Sequence, residues 1–316
     1  MDRNDWAPIG TDVVSRKDLK QYMTRNNKTG LVHFMLHIAS IVGVGTLLWL
    51  TAFSWWTVPV MFAQGAMIAF LFAPMHECVH SSAFKTRRLN IIVGRISAVI
   101  IMRPFLYLKY RHMAHHTFTQ HPEGDPDRVD FPRDMSEYLF HVSSANIWLR
   151  MIKNLTNLSL GRFTKEEREF IPEGELSAVA NEARLMVGLY LLIAVASLWF
   201  QSWLAIYVWV LPRILGEPAL RAIRMIEHTG MEESPNMLEN TRTTHTNFLV
   251  RFFYWNMPYH AEHHLYPSVP FHALPRLHEE KVGAHLSEIA PSVLSVHYKI
   301  LKRLLGRATP PHKSAV

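Results

Sequence analysis

A chain of 316 residues with 49% hydrophobic content, nine tryptophans and a formal charge of +7 fits one or two soluble domains by length, yet its long uncharged runs indicate a membrane protein. The single cysteine, Cys78, excludes an internal disulfide framework and a cysteine-ligated iron–sulfur cluster. The positive balance requires no nucleic acid, because basic residues interleaved with stacking aromatics on a soluble domain are not evident, and membrane topology with anionic headgroups accounts for the charge.

Residues 1–30 are polar, carry Arg3, Arg16, Lys17, Lys20, Arg25 and Lys28, and lack an apolar signal core, so a cytoplasmic arm with a short helix near 16–23 is expected, without a cleavable signal peptide. From 31 to 75 there is no Asp, Glu, Lys or Arg. That length holds two spans of ~20 residues, about 31–53 and 56–75, turning at Ser54-Trp55-Trp56 with indoles at headgroup level. His33 and His37, at i and i+4 of the first span, are read as interfacial side chains. Residues 81–110 alternate cations with apolar stretches. Arg95 and Arg103 bracket only seven residues, which predicts an interfacial or cap helix rather than a span.

A second hairpin is placed at about 181–200 and 203–221, broken near Gln201-Ser202, with Arg213 snorkelling toward one end. The hairpin turns lack cations and the remaining segments are rich in them. By the positive-inside rule both termini and the 76–180 segment are cytoplasmic, on the inner or plasma membrane in a bacterial cell. Residues 291–307 set Leu294, Tyr298, Leu301 and Leu305 among Lys299, Lys302, Arg303 and Arg307, the pattern of a membrane-surface helix. The expected organisation is an arm (1–30), a membrane domain (31–280) and a C-terminal cytoplasmic or interfacial segment (281–316). The expected fold is an all-α integral membrane protein, with two transmembrane helical hairpins of about four spans and a helical cytoplasmic cap.

Chemistry concentrates in three histidine boxes. His76-Glu-Cys-Val-His80 follows the second span; His112-Met-Ala-His115-His116 and His260-Ala-Glu-His263-His264 share the spacing H-x-x-H-H. Residues at i, i+3 and i+4 occupy one helix face, so each box aims its imidazoles into a common volume. His228, after the fourth predicted span, offers a ninth. Nine imidazoles exceed what one ion takes, and two metal ions sharing the set is the simpler arithmetic. Glu77, Asp125, Asp127, Glu227 and Glu262 are candidates to orient ligand histidines from outside. His121, His141 and His245 are read as loop or surface residues, and His272, His278, His285, His297 and His312 as solvated.

The three boxes and the hairpin spacing over roughly 31–280 resemble the integral-membrane di-iron family of fatty-acyl desaturases and hydroxylases. The resemblance implies two irons held by His76, His80, His112, His115, His116, His260, His263 and His264, with His228 similar to that family's extra ligand. Some desaturases bind iron through water on an asparagine one turn before this extra histidine; here that position is Arg224. The resemblance further implies O2 as co-substrate and oxidation of an unactivated C–H bond of an acyl chain, most simply desaturation. Hydroxylation, or decarboxylation to a terminal alkene, is the alternative on the same site, and substrate placement decides among them.

No dinucleotide fingerprint or fused haem module is evident, so electrons are expected from an external carrier, a ferredoxin or similar donor with its reductase. Lys85, Arg87 and Arg88 can steer an acidic carrier, although positive-inside charges meeting lipid is the plainer reading. A fatty acid or acyl-lipid is the expected substrate, with Arg213, Arg221, Arg224 and Arg242 as head-group candidates. Two rivals remain. His76-Glu77-Cys-Val-His80 spells the H-E-x-x-H of zinc proteases, with Glu77 as general base, but leaves the other boxes unused. A metal transporter or sensor would want ionisable groups in its spans, where the uncharged runs offer almost none.

Overall fold

Three helices are long and apolar enough to cross a membrane among the described residues of the computed structural model, 6–145 and 147–306: Asn27–Leu50, Thr57–Val79 and Glu173–Trp199. Arg3, Arg307 and His312 of the sequence reading lie outside the described residues. The first span starts where the Asn26 side chain accepts a hydrogen bond from the Lys28 amide, satisfying one orphan donor. Its outer face exposes Leu36, Val42 and Trp49, and the third exposes Leu185, Leu192 and Leu198, surfaces suited to hydrocarbon rather than water. The second is mostly buried and forms the centre of the main core cluster, which also takes in Phe84, Phe105 and Trp255. Its preceding turn exposes Trp55 almost completely, as the Ser54-Trp55-Trp56 reading anticipates.

The segment expected as a fourth span is helical but is not among these three. A π-helical turn, Ile206–Val210, leads into Leu211–His228, which carries Arg213, Glu217, Arg221 and Arg224. The charges are turned inward. Arg213 does not snorkel: it is fully buried, bonded to Glu217 one turn along, and stacked 5.1 Å from the Trp148 ring centre. Glu217 also accepts from Arg103 at 3.0 Å, so this buried charge network is internally paired.

Glycines fix where this helix lies. A Cβ on Gly65 would stand 1.8 Å from the Pro212 carbonyl oxygen, and one on Gly216 would stand 1.9 Å from the Gly65 carbonyl carbon. The second span and the Leu211–His228 helix therefore cross with their backbones in contact, a close approach that only the smallest residue allows. From that crossing both helices run on to histidines, His76 and His80 on one and His228 on the other.

The segment after box one forms two helices, Arg87–Ile101 and Phe105–Phe118, bent by 100° to one another at the left-handed residue Met102. Together they pass for a span by length and composition, but the bend carries the second helix, with box two, across the end of the bundle. Arg95, on the first, pairs with Glu182 of the third span at 3.0 Å. Two residues, Thr243–Thr244, pair in parallel with Ile289–Ala290 and tie the C-terminal segment to the region of box three.

Several histidines read as interfacial or solvated are internal fasteners. His33 donates to the Phe252 carbonyl at 2.8 Å and His37 to that of Met67 at 2.9 Å. His297 is buried, donating to the Ala222 carbonyl at 3.0 Å and accepting from Tyr138 at 3.0 Å. The C-terminal helix, Val293–Leu304, thus uses Val296, His297 and Ile300 for packing, and leaves Leu294 and Tyr298 exposed on another face.

The backbone contact generates a stability prediction. Gly65→Ala forces the two helices apart and should lower thermal stability in detergent by an amount equivalent to about 1–3 kcal/mol or more. Gly188→Ala, where a Cβ meets nothing within 4 Å, should be neutral or stabilise by up to about 1 kcal/mol. Thermal unfolding of the two variants side by side is the check.

Candidate metal centre

The nine imidazoles predicted from the boxes and His228 all meet at one end of the bundle, and they meet as two groups. His76, His80, His112, His116 and His263 form one; His115, His228, His260 and His264 form the other. Within each group the ligating atoms lie within 4.8 Å of one another. Helix geometry explains the division: neighbouring residues diverge by ~100°, so His115 and His116, and likewise His263 and His264, point to opposite groups. The second and third boxes thus serve both groups, while the first serves one.

Ring nitrogens in contact measure 2.9 Å (His80 to His112), 2.8 Å (His112 to His116) and 3.2 Å (His116 to His263) in the first group. In the second, His260 lies 3.1 Å from both His228 and His264. Nitrogens held ~2.1 Å from a common ion stand roughly 3.0 Å apart at octahedral and roughly 3.4 Å apart at tetrahedral angles. The donor set therefore fits a nitrogen-ligated metal in each group. Burial first, and neighbouring imidazoles after it, hold the pKa of His260, His263 and His264 well below the ordinary histidine range. They are neutral at pH 7 with lone pairs available, as metal ligation requires.

The outer nitrogens show which supporting residues act. Asp125 accepts from His115 Nδ1 at 2.7 Å and from the Gln120 amide at 3.0 Å, fixing the tautomer that leaves Nε2 for the cluster. Burial alone would raise the Asp125 pKa, but His115 holds it below the usual carboxylate range. His228 Nδ1 donates to the Asn240 carbonyl at 3.2 Å, and His264 Nδ1 to the Thr119 hydroxyl at 3.2 Å. Thr119 and Asn240 were not singled out in the sequence; neither belongs to a box, and only the fold brings them near.

Other candidates take different positions. Asp127 pairs with Arg111 at 2.8 Å and approaches Arg224 at 3.8 Å, so it orders cations rather than a histidine. Glu262 accepts from Thr243 and from His278 Nδ1, both at 2.5 Å, facing away from the imidazoles of its own box. His278, read as solvated, is buried there, and the bond to Glu262 raises its pKa. Glu77 accepts from Ser82 at 2.8 Å and the Phe271 amide at 3.1 Å, and its other oxygen lies 3.9 Å from the outer nitrogen of His263. It stands behind the cluster, where a zinc-protease general base has no use, and His76 and His80 are joined by three further imidazoles. Glu227 accepts from Tyr254 at 2.9 Å, and its free oxygen is 3.5 Å from His260 Nε2, on the inner side of the second group.

A cavity of about 530 Å³ opens onto both groups, with His76, His112, His115, His228 and His260 on its wall. Arg221 and Arg224 line it; Arg213 and Arg242 do not. Arg242 is committed to the carbonyls of Ile226 and Thr229 and to Glu288 at 3.1 Å, which stitches the chain after His228 into place.

A model of the fatty acid desaturase family matches residues 16–293. The chain belongs to the fatty acid desaturase family. Members of this family are membrane proteins, in keeping with the three apolar helices. Among relatives, a fatty acid conjugase of Calendula officinalis is 26% identical over 67% of this chain and 64% of its own length. An endoplasmic-reticulum acyl-lipid omega-3 desaturase (cytochrome b5) of Arabidopsis thaliana is 24% identical over 70% and 62%. An sn-1 acyl-lipid omega-3 desaturase (ferredoxin) of Nostoc sp. (strain 36) is 23% identical over 70% and 66%. The chain spans less than two thirds of the length of each of these desaturase-family relatives.

Asp125→Asn should weaken metal binding at the group containing His115 by about 10–100-fold. Glu262→Gln, whose carboxylate faces His278 instead, should leave it nearly unchanged. Competitive chelator titration followed by metal analysis distinguishes the two.

Proposed function

We propose that the protein is a multi-pass membrane oxidoreductase that uses two irons and O2 to oxidise an unactivated C–H bond of a fatty acyl chain, most simply by desaturation. The observation that carries this reading is the resolution of nine imidazoles, seven of them buried, into two groups with metal-like spacing. We assign His76, His80, His112, His116 and His263 to one iron and His115, His228, His260 and His264 to the other. Bound iron would supply the reductive activation of O2 that side chains alone cannot. In desaturation the balance is two hydrogens from the substrate, two electrons and two protons, with O2 leaving as two waters.

The chain's own residues supply placement. Asp125, Asn240 and Thr119 hold the second group's imidazoles in one tautomer and one orientation. Glu227, bonded to Tyr254, sets a carboxylate beside His260 and within the cavity, positioned to accept or return a proton as water forms. Arg224 does not stand in for the asparagine that the family resemblance implies at this position: it lies over the Phe72 ring at 4.5 Å. The wall residues Phe72, Leu108 and Met257 are apolar and suited to exclude water from an acyl chain.

In this reading Asn27–Leu50 and the second span form one hairpin, and Glu173–Trp199 with the Leu211–His228 helix forms the other. The histidine end, with residues 1–30 and 281–316, faces the cytoplasm, because the cations lie there. Electrons come from a soluble or membrane one-electron carrier; relatives named for ferredoxin and for cytochrome b5 support that class.

Purified protein should hold two irons per chain, one for each group. His263→Ala and His264→Ala, adjacent in sequence but assigned to different irons, should each lose about half the iron and nearly all O2-dependent product. Elemental analysis and mass spectrometry of lipid products measure both. Full iron in either variant, or zinc in place of iron in the parent protein, would remove the assignment.

A further inference from the structure

The cavity that reaches the imidazoles is walled on another side by guanidinium groups. Arg103, Arg111, Arg221 and Arg224 all line it. Two are accounted for: Arg103 donates to Glu217 at 3.0 Å, and Arg111 pairs with Asp127 at 2.8 Å. Arg224 keeps only a long approach to Asp127, at 3.8 Å. Arg221 makes no ion pair among the described residues, and its Nε is buried without a hydrogen-bond partner. The charges that act on it are, in order, Arg224, Arg103 and Arg150, with the carboxylate of Glu217 last. A half-buried cation whose nearest charges are mostly cations is stabilised when an anion joins it.

Position gives this arrangement its meaning. Arg221, Arg224 and His228 stand at i, i+3 and i+7 of one helix and share a face. At ~1.5 Å rise per residue, Arg224 lies about 6 Å and Arg221 about 10.5 Å before His228 along the axis. An extended alkyl chain advances ~1.25 Å per carbon–carbon bond, so a head at Arg224 stands about five bonds, and one at Arg221 about eight, before His228 along the axis.

The geometry points to a substrate-binding site at Arg221 and Arg224 for the free carboxylate of an aliphatic acid, which seats the carboxyl half of the substrate, rather than its methyl end, beside the two histidine groups. This deepens the proposed oxidation of an acyl chain and rests on it. A guanidinium suits a carboxylate because its parallel N–H groups match the two oxygens. An ester or thioester offers no charge at the acyl carbonyl to answer Arg221. A phosphate-headed lipid carries its charge several bonds away from the first acyl carbon, which would push the carbonyl past the histidines. Met102, Leu108, Met151 and Met225 line the same cavity and offer the remaining chain an apolar, adaptable wall. Oxidation is then directed to the carboxyl half of the chain, within about eight carbons of the carboxylate.

The test uses iron-loaded protein in detergent, titrated anaerobically without an electron donor, so that binding is read apart from turnover. The probes are dodecanoate, methyl dodecanoate and dodecyl phosphate. Dodecanoate should bind at least about tenfold more tightly than its methyl ester, the difference a charged hydrogen-bonded pair makes. Arg221→Gln should abolish that preference and Arg221→Lys should restore part of it, with iron content unchanged in both. Equal binding of acid and methyl ester by the parent protein, or tighter binding of dodecyl phosphate, would overturn the carboxylate site even if a variant fails to fold. With electrons and O2 supplied, product from dodecanoate should be altered within about the first eight carbons; oxidation confined to the methyl end would overturn the placement. A protein that holds no iron, or gives no O2-dependent product from any lipid, would instead remove the oxidoreductase reading itself, an outcome read from metal analysis and not from this titration.

Discussion

Nine imidazoles converging on one end of the bundle, with ring nitrogens in contact about 3 Å apart, are the constraint on which the rest of the structure depends. Facing lone pairs repel, and burial denies them water, so the arrangement persists only where the surrounding scaffold is rigid. That scaffold is the backbone contact at Gly65 and Gly216, which locks two helices before they deliver His76, His80 and His228. Box two arrives by the 100° bend at Met102, and box three by a short helix pinned through Glu262 to Thr243 and His278. Metal-binding energy in such a site is also folding energy, because the histidines gain a reason to converge that they lack without the ion.

The same reasoning explains what the sequence made legible. Spacing within a box is local, and H-x-x-H-H on a helix fixes a shared face whatever the tertiary structure, so all nine histidines could be named. Uncharged runs likewise mark where the three apolar helices lie, although the third, Glu173–Trp199, begins before the expected 181, in a stretch that carries Glu175, Glu182 and Arg184. What could not be read was which imidazole joins which group, since His115 and His116 part company only once other helices approach from both sides. The 203–221 segment misled for a related reason: Arg213 looked like a residue seeking the interface, whereas its partners, Glu217 one turn on and Trp148 far along the chain, make an internal charge network. His278 and His297 seemed solvated because nothing in their neighbourhood marks burial. Their partners, Glu262 and Tyr138, lie 16 and 159 residues away.

Family membership constrains the chemistry less than it constrains the scaffold. Relatives at 26% and 24% identity are named as a conjugase and a desaturase, so membership alone does not fix the outcome, which substrate presentation can decide. In this chain the presenting surface is cationic close to the histidines, and one position, Arg224, departs from the asparagine found in some desaturases. A change of that kind alters two things at once, removing a neutral polar group near one histidine group and adding a charge to the cavity wall.

The sharing of box two and box three between the two groups makes the peptide bonds 115–116 and 263–264 a covalent ruler. The spacing between the groups is written into helix pitch, which side-chain substitution elsewhere can scarcely alter. Loops around the site are therefore free to vary in length, whereas insertion or deletion of a single residue inside either box would rotate its remaining histidines by ~100° and misdirect both groups together. Substitution can readily retune the cavity, while the distance between the two histidine groups is inherited as a fixed dimension.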